Sequence, residues 1–254
     1  MGGSLGIEGH GDIAVLRLHH GKANALDIDL CRGLIGALDD VAKADARALV
    51  LTGTGRMFSA GVDLLQLQEG GAAYVTEFMP LLRQAFESLF SFSKPVVAAL
   101  NGHAIAGGCV LACASDRRLM ASGAGRIGVP ELRVGLPFPT VALEAIRLAV
   151  APSFLQSVVY DGQTYEPEEA LGFGLVDEIV TPEALLDEAL RAARAMAAAP
   201  PAAFAFTKHQ LRASGLARIA DARNGLERRI EEDWCDQATL ERVREYVAAT
   251  LRRG

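Results

Sequence analysis

The chain has 254 residues, half hydrophobic and 22% charged, so it buries a sizeable core and disorder is excluded. Its 25 Lys and Arg stand against 31 Asp and Glu, a formal charge of −6, so no broad basic face for nucleic acid is expected. The four cysteines, Cys31, Cys109, Cys113 and Cys235, follow no zinc or C-x-x-C spacing and read as reduced thiols. With no signal sequence and no apolar run near the roughly 20 residues that span a bilayer, the expected place is the cytoplasm, with no membrane partner.

Taken in chain order, Ile13–Leu18 is a short apolar strand and His20–Asn24 a polar loop. Leu30, Leu34, Leu38 and Val41 recur at helical spacing within Asp29–Lys43. Ala48–Thr52 is a continuous apolar run and reads as a buried strand. Gly53–Asp63 is glycine-rich and irregular, and Tyr74–Ser91 is helical, with Pro80 as a local complication. Pro95–Leu100 is a second buried strand, Ala106–Ala114 a buried helix of small residues, and Arg118–Ala121 a third strand. A short helix is expected over Tyr165–Gly172 and a strand over Leu175–Val180. From Thr181 the pattern is helical throughout, broken at Pro200-Pro201. The alternation predicts a largely parallel α/β core over 1–180 with an appended helical region over 181–254.

Two short motifs are set aside. Gly2-Gly3-Ser4-Leu5-Gly6 matches a nucleophile elbow, but no strand precedes it. Gly123–Gly128 matches the dinucleotide fingerprint G-x-G-x-x-G, but Pro130 follows at once where a helix should open. No metal site is expected, since the five histidines form no H-x-x-x-H pair.

The informative feature is a pair of glycine segments. Ala48–Thr52 runs into Gly53–Asp63, and Pro95–Leu100 runs into Asn101–Cys109. Ligands in α/β sheets gather beyond the C-terminal ends of parallel strands, where both segments fall. Either segment alone reads first as a tight turn with close helix–sheet packing, and the two together say more. Two backbone N–H groups converging from them would form an oxyanion hole, favoured at Gly107-Gly108 by a helix N-terminus.

At these residues the sequence resembles the crotonase superfamily, the enoyl-CoA hydratase/isomerase family. The strings are HGKANAL (Leu26 at its end), TGTGRMFSAGVDL, KPVVAALNGHAIAGGCVLA, RIGVPELRVGLPFP and DGQTYEPEEALGFGLVDEIV, in the family's order. The resemblance implies a spiral of ββα units, a C-terminal helical trimerisation region and an acyl-CoA substrate, in a homo-trimer or dimer of trimers. It needs no cofactor beyond the coenzyme A that the substrate carries. By motif position the oxyanion donors would be the N–H groups of Val62 and Gly107, with Ala60 in the pocket. Lys22 and Ala23 fall on the CoA-binding loop, where Lys22 reads either as a phosphate contact or as a solvated lysine.

Family hydratases that resemble this chain use two glutamates. Here the first position is Val110 and the second is Glu131, in Val129-Pro130-Glu131-Leu132. Hydration must activate a water and protonate Cα, which suits two carboxylates. Moving a double bond from Δ3 to Δ2 needs one carboxylate as proton shuttle, and an apolar Val110 excludes water. The motifs are closest to the single-glutamate Δ3,Δ2-enoyl-CoA isomerases. A hydratase of the same fold and a non-catalytic acyl-CoA-binding protein are the alternatives. The pocket walls are expected to draw on Leu65–Met79.

Overall fold

The apolar runs are continuous because helices cover both faces of the sheet they form. In this computed structural model residues 5–251 are described, and Gly2–Ser4 of the nucleophile-elbow string lie outside them. The first elements are β1 (Leu5–His10), β2 (Ile13–Leu18), α1 (Ile28–Lys43), β3 (Ala48–Thr52), β4 (Met57–Ser59) and α2 (Leu64–Phe90). Next come β5 (Val96–Leu100), β6 (His103–Ile105), α3 (Gly107–Ala114), β7 (Arg117–Ala121), β8 (Ile127–Gly128) and α4 (Glu131–Val134). Then follow α5 (Thr140–Ala149), α6 (Leu155–Asp161), β9 (Thr164–Tyr165), α7 (Pro167–Phe173) and β10 (Glu178–Val180). The chain ends in α8 (Leu185–Ala197), α9 (Pro201–Ala222), α10 (Leu226–Cys235) and α11 (Gln237–Leu251).

The strands form two sheets, one ordered β1-β2-β3-β5-β7-β10 and the other β4-β6-β8-β9. In three successive turns the first strand joins the large sheet, the second joins the small one, and a helix follows: β3-β4-α2, β5-β6-α3 and β7-β8-α4. This is the expected spiral of ββα units. Strands β2, β3, β5, β7 and β10 are mutually parallel, and only β1 joins that sheet antiparallel.

Alternate residues divide between the two faces. Leu49 and Leu51 of β3 face the cluster containing α1, α2 and α3, while Ala48 and Val50 face Leu185, Ala189 and Ala193 of α8. Among the described residues no helix is long and apolar enough to cross a membrane.

Several details differ from the sequence reading. The second helix starts at Leu64, not Tyr74. Its irregularity falls at Gly71 (φ 57°, ψ −148°), while Pro80 lies within regular helix. Tyr165 belongs to a strand, and the helix after it opens at Pro167. Strand β1 went unread because it is an edge strand with two glycines and little burial. Strands β4, β6, β8 and β9 have two or three residues each, too few to show a period.

Helix α9 opens at Pro201, where an absent N–H costs nothing. It carries two buried cations inward. Lys208 Nζ lies 2.6 Å and an Arg212 guanidinium nitrogen 2.8 Å from the Asp116 carboxylate, which also accepts the Val96 N–H at 2.8 Å. Burial pushes the Lys208 ammonium down to about 8, with Asp116 pulling the other way. Asp116→Ala strands both cations, so we expect a loss of about 3–5 kcal/mol. A urea midpoint within error of the native protein's would contradict this.

Candidate active site

The first expected donor is the Val62 N–H. Leu26 and Val62 form a parallel bridge, in which Leu26 N–H donates to the Gly61 carbonyl at 2.7 Å and Asp63 N–H donates to the Leu26 carbonyl at 2.9 Å. Residues 61 and 63 therefore face Leu26, and the N–H of Val62 faces the other way. Gly61 makes the approach possible. It has φ +81°, and a Cβ built on it would lie 2.6 Å from Ala106 Cβ and 2.8 Å from the Gly107 nitrogen.

The second expected donor is the Gly107 N–H. Gly107 is the first residue of α3, whose opening N–H groups have no partner within the helix. The residue before it, Ala106, holds φ 52° and ψ −123°, a strained setting for a side-chain-bearing residue. That strain points the start of α3 at Gly61. Ser59 fixes the facing segment, with its hydroxyl donating to the Asn24 carbonyl at 2.7 Å and accepting the Gly61 N–H at 3.2 Å.

Ala60, Val62, Gly107, Val110 and Glu131 all line one cavity of about 120 Å³. The rest of the wall is largely apolar, including Leu64, Leu82, Phe86 and Phe138. Among the described residues Glu131 is its only carboxylate. Glu131 opens the short helix α4. The residue is half-buried, but its Oε2 is sealed from solvent and has no hydrogen-bond partner among the described residues. Burial raises its pKa from 4.5 to about 8. A buried carboxyl oxygen without a partner is rare in a purely structural setting. An unpartnered acid of this kind beside two free N–H groups is able to move a proton next to a developing oxyanion.

The stretch Leu65–Met79 supplies no lining residue; Leu64, Leu82 and Phe86 flank it instead. Asp63 does not enter either, since its carboxylate caps α2 by accepting from the N–H groups of Leu65 and Gln66. Glu69 is exposed. Cys109 and Cys113 are buried with sulfurs 3.9 Å apart. Among the described residues no group of three metal-ligating side chains occurs.

Lys22 and Ala23 stand beside the cavity rather than in its wall. Lys22 is exposed, and the Ala23 carbonyl accepts the Ala60 N–H at 3.0 Å, which ties this loop to the segment carrying Val62. Sequence reasoning missed Asn24, which locks the loop. Its side chain donates to the carbonyls of Met57 and Phe58, both at 3.1 Å, and its φ is +47°. The signal was an Asn inside a tight loop, a residue that tolerates this backbone. Also missed were Trp234 and Tyr246, which reach the cavity from α10 and α11.

The model of the enoyl-CoA hydratase/isomerase family matches residues 8–246. The crotonyl-CoA hydratase of Syntrophomonas wolfei is 34% identical over 185 residues, 72% of this chain and 71% of that one. The structure of a Mycobacterium tuberculosis enoyl-CoA isomerase is 36% identical with a TM-score of 0.80, covering 89% of this chain and 98% of that one. That protein also goes under a hydratase name, EchA3. Human mitochondrial Δ3-Δ2-enoyl-CoA isomerase shares the fold at a TM-score of 0.93, with 23% identity over 98% of this chain and 99% of that one. Hydratase names predominate among the curated relatives. The chain is therefore an enzyme of the enoyl-CoA hydratase/isomerase family, within the crotonase superfamily.

Proposed function

We propose that this enzyme isomerises 3-enoyl-CoA to 2-enoyl-CoA. The observation that carries the reading is the single carboxylate, Glu131, in an otherwise largely apolar cavity. The acyl-CoA enters along the Lys22–Ala23 loop, with its thioester oxygen between the N–H groups of Val62 and Gly107. Glu131 removes a proton from C2, and the negative charge spreads onto the thioester oxygen as a dienolate. The same carboxyl returns the proton to C4, leaving the double bond between C2 and C3. Val110 keeps water from the double bond where a second carboxylate would hold it. No cofactor takes part, and the family's homo-trimer or dimer of trimers is the proposed assembly, open to a mass measurement in solution.

Hydration is the second reading, favoured by the relatives' names. The deciding experiment offers purified enzyme 3-enoyl-CoA and 2-enoyl-CoA side by side. Conjugated product from the first, with slow 3-hydroxyacyl-CoA formation from the second, supports isomerisation. Rapid hydration of 2-enoyl-CoA with no conversion of 3-enoyl-CoA overturns it. Binding without turnover of either ester selects a non-catalytic acyl-CoA-binding protein.

The pKa of Glu131 sets the pH dependence. Only the ionised carboxyl accepts the C2 proton, and burial holds that form back until about pH 8. The expected kcat/KM rises about tenfold per pH unit below that point and levels above it. A profile already flat from pH 6 would mean that another group is the base.

A further inference from the structure

The chemistry uses Glu131 and two N–H groups, yet Trp234 also lines the cavity while only 2% exposed. Its indole Nε1–H donates to the Pro137 carbonyl at 2.8 Å, next to Phe138, another wall residue. The helix that bears it, α10, is pinned at its other end. There Glu227 accepts the Thr140 N–H at 2.8 Å and pairs with Arg83 at 3.5 Å. Held at both ends, this wall resists displacement by a longer ligand.

The space it bounds is small. An apolar cavity of about 150 Å³ accepts benzene, so a cavity of about 120 Å³ takes roughly five to six carbon-sized groups. We propose that Trp234 sets the acyl-chain limit of this pocket, at about six carbons. The proposal rests on the reading of the ligand as an acyl-CoA, but not on which reaction follows.

The test measures Kd for saturated acyl-CoA esters of four, six, eight and ten carbons by calorimetry, since these bind without reacting. For the native enzyme, affinity should rise about fourfold per methylene up to six carbons. It should then fall about tenfold or more by ten carbons. Trp234→Leu should bind decanoyl-CoA about tenfold tighter than the native enzyme does, with butanoyl-CoA within about threefold. Trp234→Phe, a smaller truncation that keeps an aromatic ring, should move the optimum to about eight carbons and decides the matter if the leucine variant does not fold. Loss of structure alone would weaken all chain lengths together and leave the optimum in place. Affinity that keeps rising to ten carbons in the native enzyme, or an unmoved optimum in the folded variants, overturns the limit. Failure of every ester to bind overturns the acyl-CoA reading along with it.

Discussion

Glu131→Gln is expected to lower kcat/KM for double-bond migration by about 10²–10⁴, the usual worth of a positioned general base. The substitution keeps the shape of the side chain and removes the titrating group. No other carboxylate lines the cavity among the described residues to substitute for it. Binding of a saturated acyl-CoA should change little, because the walls and the two N–H donors are untouched. Residual activity within threefold of the native enzyme would remove Glu131 from the mechanism.

The same variant should behave oppositely in stability. The folded-state pKa of Glu131 is raised from 4.5 to about 8. A raised carboxyl pKa means that the folded state holds the proton more tightly than the unfolded chain. Its contribution to stability is then full below pH 4.5 and is lost as pH rises through 8. Glutamine has no charge to bury, so the variant does not lose that contribution. Each pKa unit is worth about 1.4 kcal/mol, and pocket water reduces the whole. Relative to the native protein, the variant should gain about 2–4 kcal/mol between pH 5 and pH 9. Equal pH dependence of the two urea midpoints would show that burial does not strain this carboxyl.

The large sheet was legible because its central strands are buried on both faces and read as continuous apolar runs. The two glycine segments beside the cavity were legible because they follow those strands in a recognisable string. The rest of the site was not, and the reason is distance along the chain. Trp234 and Tyr246 reach the cavity from helices more than 90 residues beyond Glu131. Leu82 and Phe86 are four residues apart on one face of α2, but helical spacing does not say what that face covers. The stretch Leu65–Met79, where the walls were expected, supplies no lining residue. Nothing local to Lys208 and Arg212 signals that folding brings Asp116 between them. Local pattern reports which side of an element is buried, and tertiary contact decides what it is buried against.

Gly61→Ala is expected to lower kcat by about 10²–10³ while leaving KM within about threefold. The added Cβ would fall 2.7 Å from the Ile105 carbonyl oxygen and 2.8 Å from the Gly107 nitrogen. Both are backbone atoms that cannot rotate aside, so the segments bearing the two N–H donors must separate. Their shared grip is strongest on the charge that develops in the transition state, which places the loss in kcat. The variant also forces alanine to φ +81°, at about 1–2 kcal/mol, and this cost must be told apart from the catalytic one. Gly55→Ala separates them. Gly55 has φ +62°, but a Cβ there meets nothing within 4 Å among the described residues. It should lose similar stability from backbone strain and retain native kcat. If both variants lose kcat equally, general loosening is responsible. If neither does, the Val62 and Gly107 N–H groups do not hold the reacting oxygen. Only a loss confined to Gly61→Ala ties catalysis to the contact between these two glycine segments.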